Sequence, residues 1–261
     1  MNRSLEAIAG LLRVALMSTL QYQSNFLISF VIGACNTAGV ALPLIFLFDH
    51  SASLNGWSRG EATVVVAFFM MMTGLMGALV EPNLGAVVEG VRSGTLDFML
   101  VKPVDAQLIG TLQRVDPTRL WDLVGAAALF LWCLPQLPPV TFSGVILAFF
   151  LFTAGLASMY SLWLMAICTS FWFVRVDNLR YLLSSAADAG RWPITLYRGW
   201  VRLVFTVLLP VALVTSYPAM ALLGRLEDNG VPLVLAVAVG ALLISRLCWT
   251  RALRRYSSAS S

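Results

Sequence analysis

Charge is what this sequence has least of. Asp, Glu, Lys and Arg together make up 11% of its 261 residues, against about 25% in a soluble domain. Apolar residues make up 59%, and mean hydropathy is +0.83. So few charges do not cover one water-soluble core, which excludes an ordinary globular domain and marks a polytopic membrane protein. Histidine occurs once, as His50, and one imidazole builds neither a proton relay nor a metal site. Lysine also occurs once, as Lys102 between Val101 and Pro103. The P-loop pattern G-x-x-x-x-G-K-[ST] therefore finds no place, and any ATP this protein uses is handled by another polypeptide. Cys35, Cys133, Cys168 and Cys248 lie in or at the rim of apolar runs without a CxxC pair. They read as small buried hydrophobes. No cofactor and no metal is expected. The net charge of +4 is scattered through short loops, which excludes a nucleic-acid face.

The apolar runs themselves lack ionisable residues. Glu81, Asp122 and Arg246 stand near their ends, where a charge reaches the interface. That speaks against an enzyme with paired carboxylates. It also speaks against a proton- or sodium-driven carrier, which keeps intramembrane charges for its function, although backbone carbonyls alone bind sodium in some carriers. No cleavable leader is expected either, since Glu6 and Arg13 interrupt the first apolar residues and no small-residue cleavage pattern follows.

What is present is length in apolar segments. A spanning helix needs about 20 mainly apolar residues, and six stretches approach that: 26–48, 61–80, 119–137, 142–169, 201–217 and 231–249. Ahead of them, residues 4–22 place Leu5, Ile8, Leu12, Leu16 and Leu20 opposite Arg3, Glu6 and Arg13, the pattern of a helix lying in the interface. An early extension of the first span is the alternative. The fourth stretch has room to run on through Phe171, Trp172 and Phe173. The fifth ends near Ser216-Tyr217-Pro218, and Ala219 to Leu223 follows as a re-entrant turn or an apolar surface loop. Six spans put both termini on one side. With the N-terminus cytoplasmic, only Arg59 and Arg225 of the 17 Lys and Arg fall outside. The positive-inside rule then places both termini, and the loops 81–118 and 170–200, in the cytoplasm. The two three-span halves differ in loop length and motif, so an inverted-repeat transporter is not supported.

The loop 81–118 holds the most organised polar content. Pro82 suits a first helical position and Gly94 the left-handed residue past a helix end. Between them Leu84, Val87, Val88 and Val91 form one apolar stripe, with Glu89 and Arg92 pointing elsewhere. Leu96-Asp97-Phe98-Met99-Leu100 then leads into Lys102-Pro103. A second short helix is expected over 105–115, with Leu108, Ile109, Leu112 and Val115 on one side, and Asp116-Pro117 caps the third span. The loop 170–200 has its own stripe, Leu179, Leu182, Leu183 and Ala186, stopped by Gly190 and Pro193.

The stretch Ser93-Gly94-Thr95-Leu96-Asp97-Phe98-Met99-Leu100-Val101-Lys102-Pro103 resembles the "G-x-L-D-x-x-L-x-[KR]-P" motif of permease subunits of type-2 ATP-binding-cassette (ABC) exporters, in the viologen-exporter-like subfamily. The resemblance continues, in order, through Ser170-Phe171-Trp172-Phe173, Arg191-Trp192-Pro193-Ile194, Pro210-Val211-Ala212, Tyr217-Pro218-Ala219 and Leu222-Leu223-Gly224-Arg225. It implies an all-α fold of six transmembrane helices in one permease domain. An N-terminal elbow helix and a re-entrant element over Pro218–Leu226 belong to the same picture. It further implies a coupling helix over Pro82–Gly94, seated in a groove of a separate ABC ATPase subunit, and a second permease chain, identical or homologous. Localisation would be the cell (inner) membrane, multi-pass, with the lipid bilayer and no nucleic acid as surroundings.

The ATPase-coupling set expected from stripe and resemblance is Leu84, Val87, Val88, Glu89, Val91, Arg92, Gly94, Leu96, Asp97, Lys102 and Pro103. Val87, Val88 and Val91 would form its apolar docking face, Glu89 and Arg92 flanking polar contacts, and Asp97 a local cap or partner of Lys102 or Arg92. The plainer reading packs this stripe against the membrane surface or the 105–115 helix. Two other functions stay open: an ion-coupled carrier or channel acting without an ATPase, and a structural or assembly protein. The substrate is not legible. Phe68, Phe69, Met70, Met71, Met72 and Met76 fit the lining of a path for hydrophobic or cationic compounds, or simple packing against lipid and protein.

Overall fold

Hydrocarbon offers the backbone no hydrogen-bond partner, so a chain this apolar is driven to helices that pair every amide within themselves. The computed structural model describes residues 23–51, 53–97, 101, 105–112, 114–171 and 177–256. Among them every regular element is helical, and the β pairing is a single bridge between Leu54 and Trp57. The expected interfacial helix over 4–22 lies outside the described residues, as do Lys102 and Pro103.

Helix α1, Gln23–Asp49, is followed by a short loop and α2, Arg59–Leu75, which opens on a capping box. Ser58 Oγ accepts from the Glu61 amide, and the Glu61 carboxylate accepts from the Ser58 amide at 2.9 Å. A π segment, Met76–Val80, joins α2 to α3, Glu81–Ser93. Then come α4, Ala106–Leu112; α5, Leu120–Cys133; α6, Phe142–Cys168; α7, Asp177–Ala187; α8, Trp200–Leu203, with a second π segment Val204–Leu208; α9, Val211–Leu222; and α10, Gly230–Arg255. Among the described residues four segments are long and apolar enough to cross a membrane: Leu27–Asp49, Arg59–Ser93, Phe142–Phe171 and Gly230–Arg255. The bent pair Trp200–Leu208 and Val211–Leu222 adds a fifth if taken as one. The expected third stretch, 119–137, contains the 14-residue helix α5 extended by 3-10 turns at 117–119 and 134–136.

The core is built around α2. The apolar window of Arg59–Ser93 is 72% buried, against 11% for α1 and 17% for α10. Helix α2 is therefore a central post, and the outer helices keep wide apolar faces toward lipid or another chain. Helix α2 packs on α5 and α9, while α6 packs on α9 and α10. The α6–α9 contact is close because Gly155 has no side chain: a Cβ there would sit 2.5 Å from the Leu213 carbonyl oxygen.

Two expectations fail on physical grounds. The fifth stretch is not one helix over 201–217. It breaks at Leu209-Pro210, where the two arms bend by 97°. A residue before proline is pushed out of the helical region, and Leu209 has ψ 80. Pro218, expected to end that stretch, instead lies inside α9, every residue of which from Val211 to Ala221 is buried. The second failure concerns 170–200, expected as a loop on one side. Phe171 stacks edge-on against Trp249 and Tyr256 near the end of α10. Thr195, by contrast, accepts from Asn55 Nδ2 at 2.6 Å and from Trp57 Nε1 at 2.8 Å, beside the start of α2. The stretch 177–196 thus runs from one end of the bundle to the other.

Candidate coupling surface and cavity

The expected span 61–80 and the helix expected from Pro82 are continuous. The chain from Arg59 to Ser93 is one helical rod of 35 residues, with Pro82 at the first turn of its last section. What intervenes is the π segment, closed by the Glu81 amide donating to the Met76 carbonyl. A π turn holds one residue more than an α turn and so rotates all that follows it. Gly94, at φ 71, ends the rod as expected, since glycine occupies the left-handed region without a steric cost. The Leu96 amide then folds back onto the Gly90 carbonyl at 3.1 Å.

The structure divides the expected docking stripe. Leu84 is 1% exposed and Val87 0%; both face the chain's own core, as does Leu96. Val87 is therefore corrected from partner-facing to core. Val88 is half-buried, Val91 is half-buried and packed on the core, and Glu89 and Arg92 are exposed. The outward face of α3 is thus Val88, Glu89 and Arg92, which is narrower and more polar than expected.

Asn83, absent from the expected set, fixes the far end of the loop. Buried at 1% exposure, it donates to the Leu79 carbonyl at 2.6 Å and to the Arg114 carbonyl at 2.5 Å. Its own carbonyl accepts from the Arg114 amide at 2.7 Å. Beside it the Asp116 amide donates to the Ala78 carbonyl at 2.8 Å. Entry and exit of the stretch 84–113 are thereby tied together. Asp116 caps as expected, accepting from Thr118 N at 3.0 Å. No sequence pattern marked Asn83, because a lone asparagine behind a proline is common surface content.

Two more contacts lead from this loop to α10. Arg246 Nη2 pairs with Asp105 Oδ2 at 2.5 Å, and Nη1 donates to Asp105 Oδ1 at 3.1 Å and to Gln107 Oε1 at 2.7 Å. Gln107 Nε2 donates to Tyr160 Oη at 3.1 Å, and Thr111 Oγ1 lies 3.0 Å from the same oxygen, so α4 is held to α6 as well. Asp97 lies beside Tyr256. Burial pushes the Tyr256 phenol above its usual pKa, and the neighbouring Asp97 carboxylate pushes it further. Asp97 thus has a neighbour about 160 residues away, which no local pattern marks.

A cavity of about 610 Å³ opens between α2, α6 and α7. Met72, Met76, Met159 and Trp163 form its apolar wall; Glu81, Arg119, Ser184 and Asp188 form its polar one. Asp188 pairs with Arg191 at 3.3 Å, and the Arg191 guanidinium lies 5.7 Å from the centre of the Phe69 ring. Phe69 stands about 15 Å along α2 at 1.5 Å per residue. An ion pair therefore stands at mid-height of α2, contributed by a stretch outside the six apolar runs. At the Thr195 end Arg225 pairs with the buried Glu61 at 2.6 Å and donates to the Gly56 carbonyl at 3.0 Å. Of the expected path residues, Met72 and Met76 line the cavity, whereas Phe68, Phe69 and Met70 are packed in the core. Among the described residues no three His, Cys, Asp or Glu side chains gather to hold a metal.

Comparison with known proteins finds one family: its model, described as ABC-2 family transporter protein, matches residues 34–260. No curated protein and no solved structure matches the chain.

Proposed function

The chain belongs to the ABC-2 family of transporter proteins, a transmembrane component that acts with an ABC ATPase, and from that membership we propose that it is the permease of an exporter, worked through α3. The observation that carries the coupling assignment is the unbroken rod from Arg59 to Ser93. A push on the outward face of α3 reaches the buried post α2 without crossing a flexible joint. The tie from Asn83 to Arg114 removes slack from the return path. Val88, Glu89 and Arg92 would meet the ATPase, with Lys102 and Pro103 beyond them; Leu84, Val87, Val91, Gly94 and Leu96 would hold the lever's shape from within. Six crossings follow if 177–196 is the fifth and the arms α8 and α9 form a re-entrant hairpin. The contact of Arg202 with Glu227 at 3.8 Å supports this, because it brings the start of one arm beside the turn that follows the other. Both termini and α3 then share the cytoplasmic side of the cell membrane. The wide apolar faces of α1 and α10 leave room for a second permease, identical or homologous.

The test is direct. Tagging the chain in native membranes should bring down an ABC ATPase, and Val88→Asp should release it. An ATPase still bound to Val88→Asp would remove α3 from the interface. A carrier or channel working alone is the second reading, favoured by the mid-height Asp188–Arg191 pair. It predicts flux in vesicles holding this chain alone, without ATP.

A further inference from the structure

A charge or a hydroxyl held at membrane depth needs water or a protein partner, because hydrocarbon solvates neither. The exposed faces of α1, α6 and α10 present mainly Leu, Ile, Val and Phe. The chain beside α2 differs. Ser184 of α7 and Asp188 just past its end are exposed, Asp188 over 57% of its side chain. Their exposure opens inward, because both line the cavity of about 610 Å³ together with Glu81 and Arg119. Ser185 is exposed as well, but it lies about 100° further round the helix and off the cavity wall.

The extent of the cavity is set by the rod. Its lining there runs from Met72 to Glu81, about 14 Å of helix, whereas Val64 to Met70 above are each no more than 5% exposed. At the other end α3 begins, and Arg119, just before α5, is exposed. The space is roughly tenfold or more what one water needs. With two carboxylates, a guanidinium and a serine hydroxyl on its walls, it fills with water rather than staying dry. We propose that the cavity is a water-filled entrance contained within one chain, open at the α3 end and closed above Met72, so that cargo enters the permease beside α7 before it reaches any second chain. Asp188 and Arg191 mark the closed end, where a pair 3.3 Å apart stays solvated instead of facing lipid. As a route for cargo the entrance rests on the exporter reading. As a hydrated space it does not, and its test needs no ATPase.

The experiment uses the full chain in membrane vesicles of each orientation. The probe is the impermeant, permanently charged thiol reagent 2-(trimethylammonium)ethyl methanethiosulfonate, its rate read by loss of later labelling with a fluorescent maleimide. The background carries Cys35→Ser and Cys248→Ser; Cys133 and Cys168 are buried and stay. Ser184→Cys, Ser185→Cys, Leu243→Cys and Val66→Cys are then compared. Leu243, exposed on α10, matches Met72 in depth. Each stands thirteen positions into its helix, and both helices start at the end where Arg225 pairs with Glu61. With the cytoplasmic side outward, Ser184→Cys should react about 30-fold faster than Leu243→Cys and about tenfold faster than Ser185→Cys, because the thiolate forms only in water. Ser184→Cys should not react from the opposite side, and Val66→Cys from neither. A rate at Ser184→Cys no higher than at Leu243→Cys would make the cavity dry and overturn the entrance. Equal fast rates at Ser184→Cys and Ser185→Cys would place α7 in bulk water outside the bundle, and reaction from the opposite side alone would reverse the opening; either overturns it too. A chain that gives the expected rates but recovers no ATPase keeps its entrance and loses only the coupling reading.

Discussion

Val87 and Val88 are neighbours in sequence, identical in side chain and opposite in situation. Val87 is fully buried; Val88 looks outward beside Glu89 and Arg92. A carboxylate at 87 would be an unpaired charge in a packed core, a change that ordinary proteins do not absorb. Val87→Asp should therefore abolish monodisperse protein, whereas Val88→Asp should melt within a few degrees of wild type. Size-exclusion profiles and thermal melts in detergent check both. Leu84→Ala should cost about 2–5 kcal/mol for its cavity, again without touching the partner. Asn83 makes a separate prediction. Its amide satisfies both the N–H and C=O of Arg114, so Asn83→Ala should cost about 1–3 kcal/mol, and Asn83→Asp, which sets a buried carboxylate oxygen against the Leu79 and Arg114 carbonyls, should cost at least as much. The stripe at 84, 87, 88 and 91 was legible as a helix face from spacing alone. Which half of it faces inward was not, because that depends on α4, α6 and the turn at 169–171 packing against it.

Among the elements, the π segment Met76–Val80 has the largest consequence for its size. Deleting Val80 would let the rod close as a plain α-helix and turn α3 by about 100°, carrying Leu84 and Val87 out of the core. The expected result is loss of the ATPase from the complex, with Val80→Ala, which keeps the register, retaining it; co-purification from matched membranes distinguishes the two. The helix ends were the readable parts: Asp116 and Gly94 stand where capping chemistry put them. The breaks were less readable. Pro210 and Pro218 are equivalent in sequence, and only packing decides which interrupts a helix. The residues just before Pro210, Val207 and Leu208, are exposed, whereas the turn before Pro218 is buried throughout within α9. A π segment leaves no composition signature, so the rod from 59 to 93 looked like two pieces joined at Glu81-Pro82.

For the whole molecule, membrane class and helical architecture follow from scarcity of charge, and the family match over 34–260 agrees with them. The route of the chain between α6 and α8 did not follow, because 177–191 carries Asp, Arg and Ser and fails any hydropathy test for a span. Ser184 and Asp188 of this stretch line the cavity, and Asp188 pairs with Arg191. This makes a topological prediction: a single cysteine at Thr195 should react with an impermeant maleimide from the side opposite Arg92→Cys. Labelling of both from the cytoplasmic side would return 170–200 to a simple loop. A coupled permease requires that an ATPase take hold of α3. The most direct measurement is the amount of ABC ATPase recovered per tagged chain for wild type, Val88→Leu and Val88→Asp. Equal recovery for the first two and at least a tenfold loss for the third, with an unchanged melt, is the predicted result. Undiminished recovery with Val88→Asp, or none with wild type, would contradict it.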